Sequence, residues 1–380
     1  MKKLIWTLVI LVVVGVFGGR AWWLYTQKQS ENTNEKIIKI GAILPLTSII
    51  AHEGQTTLES LKIAEKNINA NPEYGFIVKL IVEDGKYTPK DSLNAFQKLM
   101  TNHIDALIVL GERPLNAITK FVNENKVPTL AIAGRTNLNT LSPYFFKVPM
   151  STTALTSAFG KYAVKEMGLK NIGVLYVDMD NGKDPAMAFI EAARKENANI
   201  TAEEKYKQDE IDTKSQVIKI VNTDPDAILI IGFGDKSFPS SINYIRELGY
   251  NKPILSYFSI PPVLDKLKDK SNIYFVDVLL QNNTETTAYK QQFAEKFPGL
   301  EPDWTPTFGY IAENMIAKVA SKIGVEEPNS FMKELKSTLY FDTPYGKLEI
   351  IGEETYVPLY VKKVLPNGTI ELVNLIDSKE

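Results

Sequence analysis

From Ile37 onward, short unbroken apolar runs alternate with stretches whose apolar residues recur at helical spacing, and this alternation limits the fold more than any other feature. The runs IIKIGAIL (37–44), FIVKLIVED (76–84), IDALIVLG (104–111) and VPTLAIAG (127–134) read as strands. Between them, TTLESLKIAEKNINA (56–70) spaces Leu58, Leu61, Ala64 and Ile68 along one helical face. TPKDSLNAFQKLMTN (88–102) opens on Thr-Pro, a helix start, and PLNAITKFVNENK (114–126) is a further helix. After YFFKVPM (144–150) the pattern resumes. TALTSAFGKYAVKEMG (153–168), PAMAFIEAARKENA (185–198), DTKSQVIKIVNTDPD (212–226) and FPSSINYIRELG (238–249) read as helices. NIGVLYVD (171–178), AILIIGFG (227–234) and KPILSYFS (252–259) read as strands. Strands with no polar alternation are buried on both faces, which means parallel sheets covered by helices. Two such blocks in succession predict an α/β chain of two lobes.

The C-terminal part differs. TTAYKQQFAEKFPG (286–299), FGYIAENMIAKVASKIG (308–324) and NSFMKELKST (329–338) read as helices, with LEPDWTPT (300–307) as a connector. Short strands follow at 346–352 and 356–373, the latter folded back at Pro366-Asn367-Gly368, where Asn-Gly suits a tight turn.

The N-terminus follows other rules. Lys2 and Lys3 precede an uncharged run from Leu4 to Gly19. As a helix it spans about 24 Å at ~1.5 Å per residue, short of a hydrocarbon core of ~30 Å. Arg20 can snorkel, Ala21 to Tyr25 continue the apolar character, and Trp22, Trp23 and Tyr25 suit a membrane interface. Residues 1–25 are therefore expected to be a membrane anchor, or a signal segment if cleaved, and the polar stretch 26–36 a linker. The basic amino end keeps to the cytoplasmic side, so the body is expected outside.

A formal net charge of −2 gives no electrostatic footprint for nucleic acid. The chain has no cysteine, which removes disulfides, thiolate metal sites and a cysteine nucleophile. Its two histidines, His52 and His103, lack metal-ligand spacing, and no phosphate-binding loop or nucleophile elbow is present. No cofactor or metal is expected, and no enzyme activity. What recurs instead is a strand ending in a small or polar tip. The tips are Thr47, Ser48 and Glu53; Gly111, Glu112 and Arg113; Ala133, Gly134, Arg135 and Thr136; residues 178–182; Phe233, Gly234 and Asp235; and Tyr257, Phe258 and Ser259. Six tips on matching edges of two lobes point to a ligand cleft, since open α/β sheets bind ligands at the carboxyl ends of their strands.

In this order of segments the chain resembles the type I periplasmic binding proteins, specifically the branched-chain amino-acid (Leu/Ile/Val-type) receptors of ABC importers. IGAILPLTSIIAHEGQTTLESLKIAEKNIN is similar to their opening pattern, and VEDGKYTPKDSLNAFQKLM and VPTLAIAGRTN to two later segments. FFKVPMSTTALTSAFGKYAVKEMGLKNIGVLYVD is similar to their crossover into the second lobe, and YFDTPYGKLEI to their terminal motif. The likeness extends over nearly all of 37–376. It implies two Rossmann-like lobes with parallel sheets, joined by three crossovers near 148, 278 and 342. Lobe 1 would comprise 37–148 and 279–341, and lobe 2 149–278 and 342–376. It further implies an extracytoplasmic solute-binding protein that closes on an amino acid or related small carboxylate by hinge bending, with an ABC permease as partner. A ligand-sensing ectodomain is the alternative on the same fold.

The resemblance also places site residues. The family's carboxylate-binding serine falls near Arg113, and its Ala-x-Thr pair at Gly134 and Thr136. Its first-loop aromatic falls at Glu53, its lobe-2 tyrosines at Asn181 and near Phe233, and the acid that reads an amino group near Phe258. Thr47 and Ser48 turn the chain toward the cleft. These substitutions favour a carboxylate held by Arg113 or Arg135 with Thr136, and an apolar part against Phe233 and Phe258; Glu53 keeps an amino group possible.

Overall fold

The computed structural model describes residues 36–379 except 49, 136–137, 209, 211 and 233–235. The expected membrane segment lies outside the described residues, and among those described no helix is long and apolar enough to cross a membrane.

Lobe 1 is built on β1 (Ile37–Leu44), β2 (Ile77–Asp84), β3 (Ala106–Leu110), β4 (Thr129–Ile132) and β5 (Phe145–Lys147), in the order β2-β1-β3-β4-β5, all parallel. The helices α1 (Ala51–Asn69), α2 (Pro89–Thr101) and α3 (Glu112–Asn125) make the connections. The chain enters lobe 2 through α4 (Thr152–Lys165). There β6 (Asn171–Val177), β7 (Asn199–Tyr206), β8 (Ala227–Ile231), β9 (Ile254–Tyr257) and β10 (Ile273–Asp277) repeat the order as β7-β6-β8-β9-β10. Their helical connections are α5 (Asp180–Lys195), α6 (Lys214–Val221) and α7 (Ser237–Glu247).

The chain then returns. Helices α8 (Thr284–Lys296) and α9 (Trp304–Ile323) pack on α1, and α10 (Pro328–Ser337) on α9. A small antiparallel sheet, β11 (Tyr340–Thr343), β12 (Gly346–Ile351) and β13 (Glu354–Tyr356), leads back to lobe 2. There β14 (Leu359–Val364) and β15 (Ile370–Ile376) extend the sheet beyond β10 by antiparallel pairing.

Burial explains this layout. Every residue of β3 and β8 is buried, as strands covered by helices on both faces must be. In each sheet the first strand sits between the second and third, so the chain leaves to one side and returns on the other. The gaps between α1 and α3 in lobe 1 and between α5 and α7 in lobe 2 are these switch points.

The structure departs from the sequence reading at strands and helix starts. β7, β10 and β11 appear where no strand is expected, and α1, α5 and α9 begin four or five residues early. β7 is an edge strand with five of its eight residues polar, so it lacks an apolar run.

One core group is anomalous. Glu313 of α9 is fully buried, and neither carboxylate oxygen has a hydrogen-bond partner among the described residues. Burial, with Glu65 nearby, raises its carboxyl well above the ordinary range, so it is held neutral. The unfolded chain releases this proton near pH ~4.3 and the folded chain keeps it. Stability from Glu313 is therefore full below that pH and drains as pH rises toward the raised folded value. Glu313→Gln should remove this drain. In thermal unfolding between pH 5 and 8, the variant should gain on the parent by as much as ~1.4 kcal/mol per pH unit.

Candidate functional site

The carboxyl ends of both parallel sheets and the first turns of the helices that follow them supply the site. The chain after β1 turns at once. Thr47 donates its hydroxyl to the Asp84 carboxylate at the end of β2, and the N–H groups of Leu46 and Lys86 bond the same carboxylate, each at 2.9 Å. Ser48 Oγ accepts the N–H of Ile50 at 3.2 Å, just before α1. Both side chains thus shape the loop, and α1 opens early enough to carry Glu53 in its first turn.

Next along the wall, Gly111 has φ +93°, and a Cβ there would stand 2.4 Å from the Tyr87 ring. Only glycine admits this turn. It lets Glu112 and Arg113 start α3, with the exposed Arg113 guanidinium 5.4 Å from the Tyr87 ring centroid. Arg135 is also exposed and donates from Nη1 to Asn116 Oδ1 at 3.3 Å. Burial raises the Glu112 carboxyl, Arg135 opposes the shift, and Asp180 and Asp184 of α5 reinforce it. Asp180 and Asp184 belong to lobe 2, so carboxylates face one another across the cleft. Asn181 shares their turn, and its buried Oδ1 has no hydrogen-bond partner among the described residues.

A second grouping surrounds the start of α9. Phe258, at the tip of β9, stacks on Trp304 with centroids 5.4 Å apart and planes 14° from parallel. Phe258 also meets Tyr257, and Trp304 meets Phe308, so one aromatic file runs from lobe 2 to the helix that covers lobe 1. Asp303 precedes Trp304. Its side chain is exposed, yet protein crowds it closely enough to raise the carboxyl to about 6. The Thr305 N–H and His52 oppose that shift, while Glu53 and Asp277 add to it. Glu53 follows β1 and Asp277 ends β10, so Asp303 stands where the edges of the two sheets approach. Asp303 makes no ion pair among the described residues.

The expected residues thus fall into two groups. Arg113 and Arg135 stand on the Glu112 side, opposite Asn181. Glu53 and Phe258 gather about Asp303 and Trp304. Gly134 touches lobe 2 directly: its carbonyl accepts the N–H of Thr152 at 3.1 Å, and a Cβ would lie 2.9 Å from Thr152 Cγ2. Thr136 and Phe233 lie outside the described residues. Asp303, Trp304 and Tyr87 were not among the expected site residues, and Glu112 was expected only as part of a strand tip. The first two had a signal, since Asp followed by Pro306 is a helix opening.

A family model described as periplasmic binding protein matches residues 37–358. An uncharacterized protein of Methanocaldococcus jannaschii is 24% identical, with 86% of each chain covered. Solved structures share the fold, among them the following two. A leucine-binding protein from Thermotoga maritima is 20% identical, covers 90% of this chain and 99% of its own, and has a TM-score of 0.76. A solute-binding protein of an ABC transporter from Rhodopseudomonas palustris, in complex with 3,4-dihydroxybenzoic acid, is 17% identical, covers 90% and 98%, and has a TM-score of 0.77.

The interlobe stack is open to a direct check. The other tryptophans, Trp6, Trp22 and Trp23, all precede Lys36, so a difference spectrum isolates Trp304. Phe258→Ala should shift Trp304 fluorescence to the red and remove a ring pair worth about 0.5–1.5 kcal/mol. Unchanged emission would mean the rings do not stack in solution.

Proposed function

The chain belongs to the periplasmic binding protein family, and from that premise we propose that it is an extracytoplasmic receptor for a free amino acid, which it passes to an ABC importer. The cleft closes by hinge motion between lobe 1 (37–148 and 279–341) and lobe 2 (149–278 and 342–376). The carrying observation is Asp303. It is a cleft carboxylate without an ion pair among the described residues, with Glu53 beside it and an aromatic wall adjoining.

A ligand bearing only a carboxylate would be repelled by Asp303 and Glu53. A ligand that also carries an ammonium group can pair with them, while Arg113 or Arg135, with Thr136, receives its carboxylate. The sequence favours an apolar acid without an amino group; Asp303, absent from that reading, moves the balance toward the amino acid. Phe258 and Trp304 suit an apolar side chain, and Phe233 would join them. Asn181, with an unused acceptor, suits a donor group of the ligand. The leucine-binding and dihydroxybenzoate-binding relatives represent the two ligand classes to be separated.

Calorimetry of leucine against its keto-acid and hydroxy-acid counterparts tests this. Leucine should bind, and the counterparts far more weakly. Asp303→Asn should cost leucine about 2–5 kcal/mol and leave the counterparts nearly unaffected. Because the Asp303 carboxyl titrates at about 6, leucine affinity should hold above that pH and fall below it, as the protonated acid no longer pairs with ammonium. A keto acid that binds as tightly as leucine sinks the amino-acid reading.

The same proposal keeps the body on the outer face of the cytoplasmic membrane through residues 4–25. Mass spectrometry of the mature protein should find the native amino end; a chain beginning at Trp22 would show a cleaved signal instead.

A further inference from the structure

The first passage between the lobes is short. β5 ends at Lys147 in lobe 1, Val148, Pro149 and Met150 follow, all buried, and Ser151 caps α4 in lobe 2 by accepting the Ala154 N–H at 3.2 Å. Glu354, from β13 of the small sheet, reaches both ends of this passage. Its Oε1 accepts a charge-assisted hydrogen bond from Lys147 Nζ, a second from the Ser151 N–H at 2.9 Å and a third from the adjoining Thr355 N–H at 3.2 Å. The side chains are 3% and 17% exposed. Lys147 Nζ bonds nothing else among the described residues.

The second passage is braced differently. Lys362 of β14 donates to Asp277 Oδ2 at 2.8 Å and to the Val278 carbonyl at 2.7 Å. That brace joins lobe 2 to the start of its own exit. The Gln281 N–H bonds the Pro344 carbonyl at 2.8 Å, tying the second passage to the third. Glu354 is different in kind, because its Lys147 and Ser151 donors stand on opposite sides of the hinge.

We propose that Glu354 is a hinge clamp: one carboxylate oxygen holds Lys147 and Ser151 together and so fixes the angle at which the chain leaves lobe 1. Rotation about residues 148–150 moves the Ser151 N–H relative to the Lys147 ammonium, and a single oxygen cannot follow both. The clamp is made in the arrangement where Phe258 stacks on Trp304 and Thr152 bonds Gly134, so it favours lobes in contact. Burial of a charged pair here gives no general gain in stability over an apolar pair of similar size, but it selects one geometry.

The inference goes beyond the ligand reading and needs no ligand to test. The chain has no cysteine, so Lys90→Cys on α2 and Lys183→Cys on α5, both exposed, can carry spin labels at the two lips of the cleft. Pulsed dipolar spectroscopy of the full chain should give one narrow distance distribution. Glu354→Gln removes the charge, and Lys147→Met with Glu354→Leu replaces the pair by apolar groups and leaves no lone buried ion. Each should broaden the distribution and lengthen its mean, and the double variant should do so at an unchanged or higher melting temperature. If the folded double variant keeps the parent distribution, the clamp is wrong. Loss of folding in both variants would equally overturn it, since the pair would then hold the fold rather than the hinge angle.

Discussion

A parallel strand pair cannot be closed by a tight turn, because the chain must return to the starting edge before pairing again. Backbone pairing of β1 with both β2 and β3 therefore imposes a helix between successive strands and puts every strand-to-helix turn on one edge of the sheet. β6 does the same with β7 and β8. The two edges come together around the start of α9, where Trp304 meets Phe258 and Asp303 feels both Glu53 and Asp277. The cleft is a consequence of parallel pairing in both sheets before it is a consequence of any particular side chain.

The same geometry sets the charge of the cleft. Helices α1, α3 and α5 begin at the tips, so their amino ends, each with partial positive charge, converge there. Glu53, Glu112 and Asp180 occupy those first turns and offset it. Burial then raises the Glu112 and Asp303 carboxyls, and acids of the other lobe, Asp180 and Asp184 for Glu112 and Asp277 for Asp303, add to it. Bringing the lobes together costs less when a positive group lies between the acids, and under the amino-acid reading the ligand's ammonium supplies it.

Much of this was legible in the sequence. The five-residue cores of β3 and β8 are unbroken apolar runs, and Asn367-Gly368 marks the β14–β15 turn, where Gly368 has φ +86°. What escaped has a physical cause. β7 lies at an edge with only Tyr206 of its eight residues buried, and β11 is short and half exposed. The start of α9 was hidden because Pro306 reads as a break when it stands in a connector and as a first-turn residue when it stands behind Asp303. That one boundary kept Asp303 and Trp304 out of the expected site.

By itself the sequence determined the class of fold, the buried strands and amphipathic helices of both lobes and the tips at which they meet, since hydrophobic periodicity and turn residues are local properties carried by neighbours in the chain. Only the tertiary structure decided which tips share a wall. It turned Thr47 toward Asp84 and set Arg113 over Tyr87. It also brought Trp304 onto Phe258, 46 positions away, and Glu354 onto the passage at 148–150. Such pairings depend on how two lobes pack across a gap, and no local pattern encodes a distance between residues that the chain holds far apart.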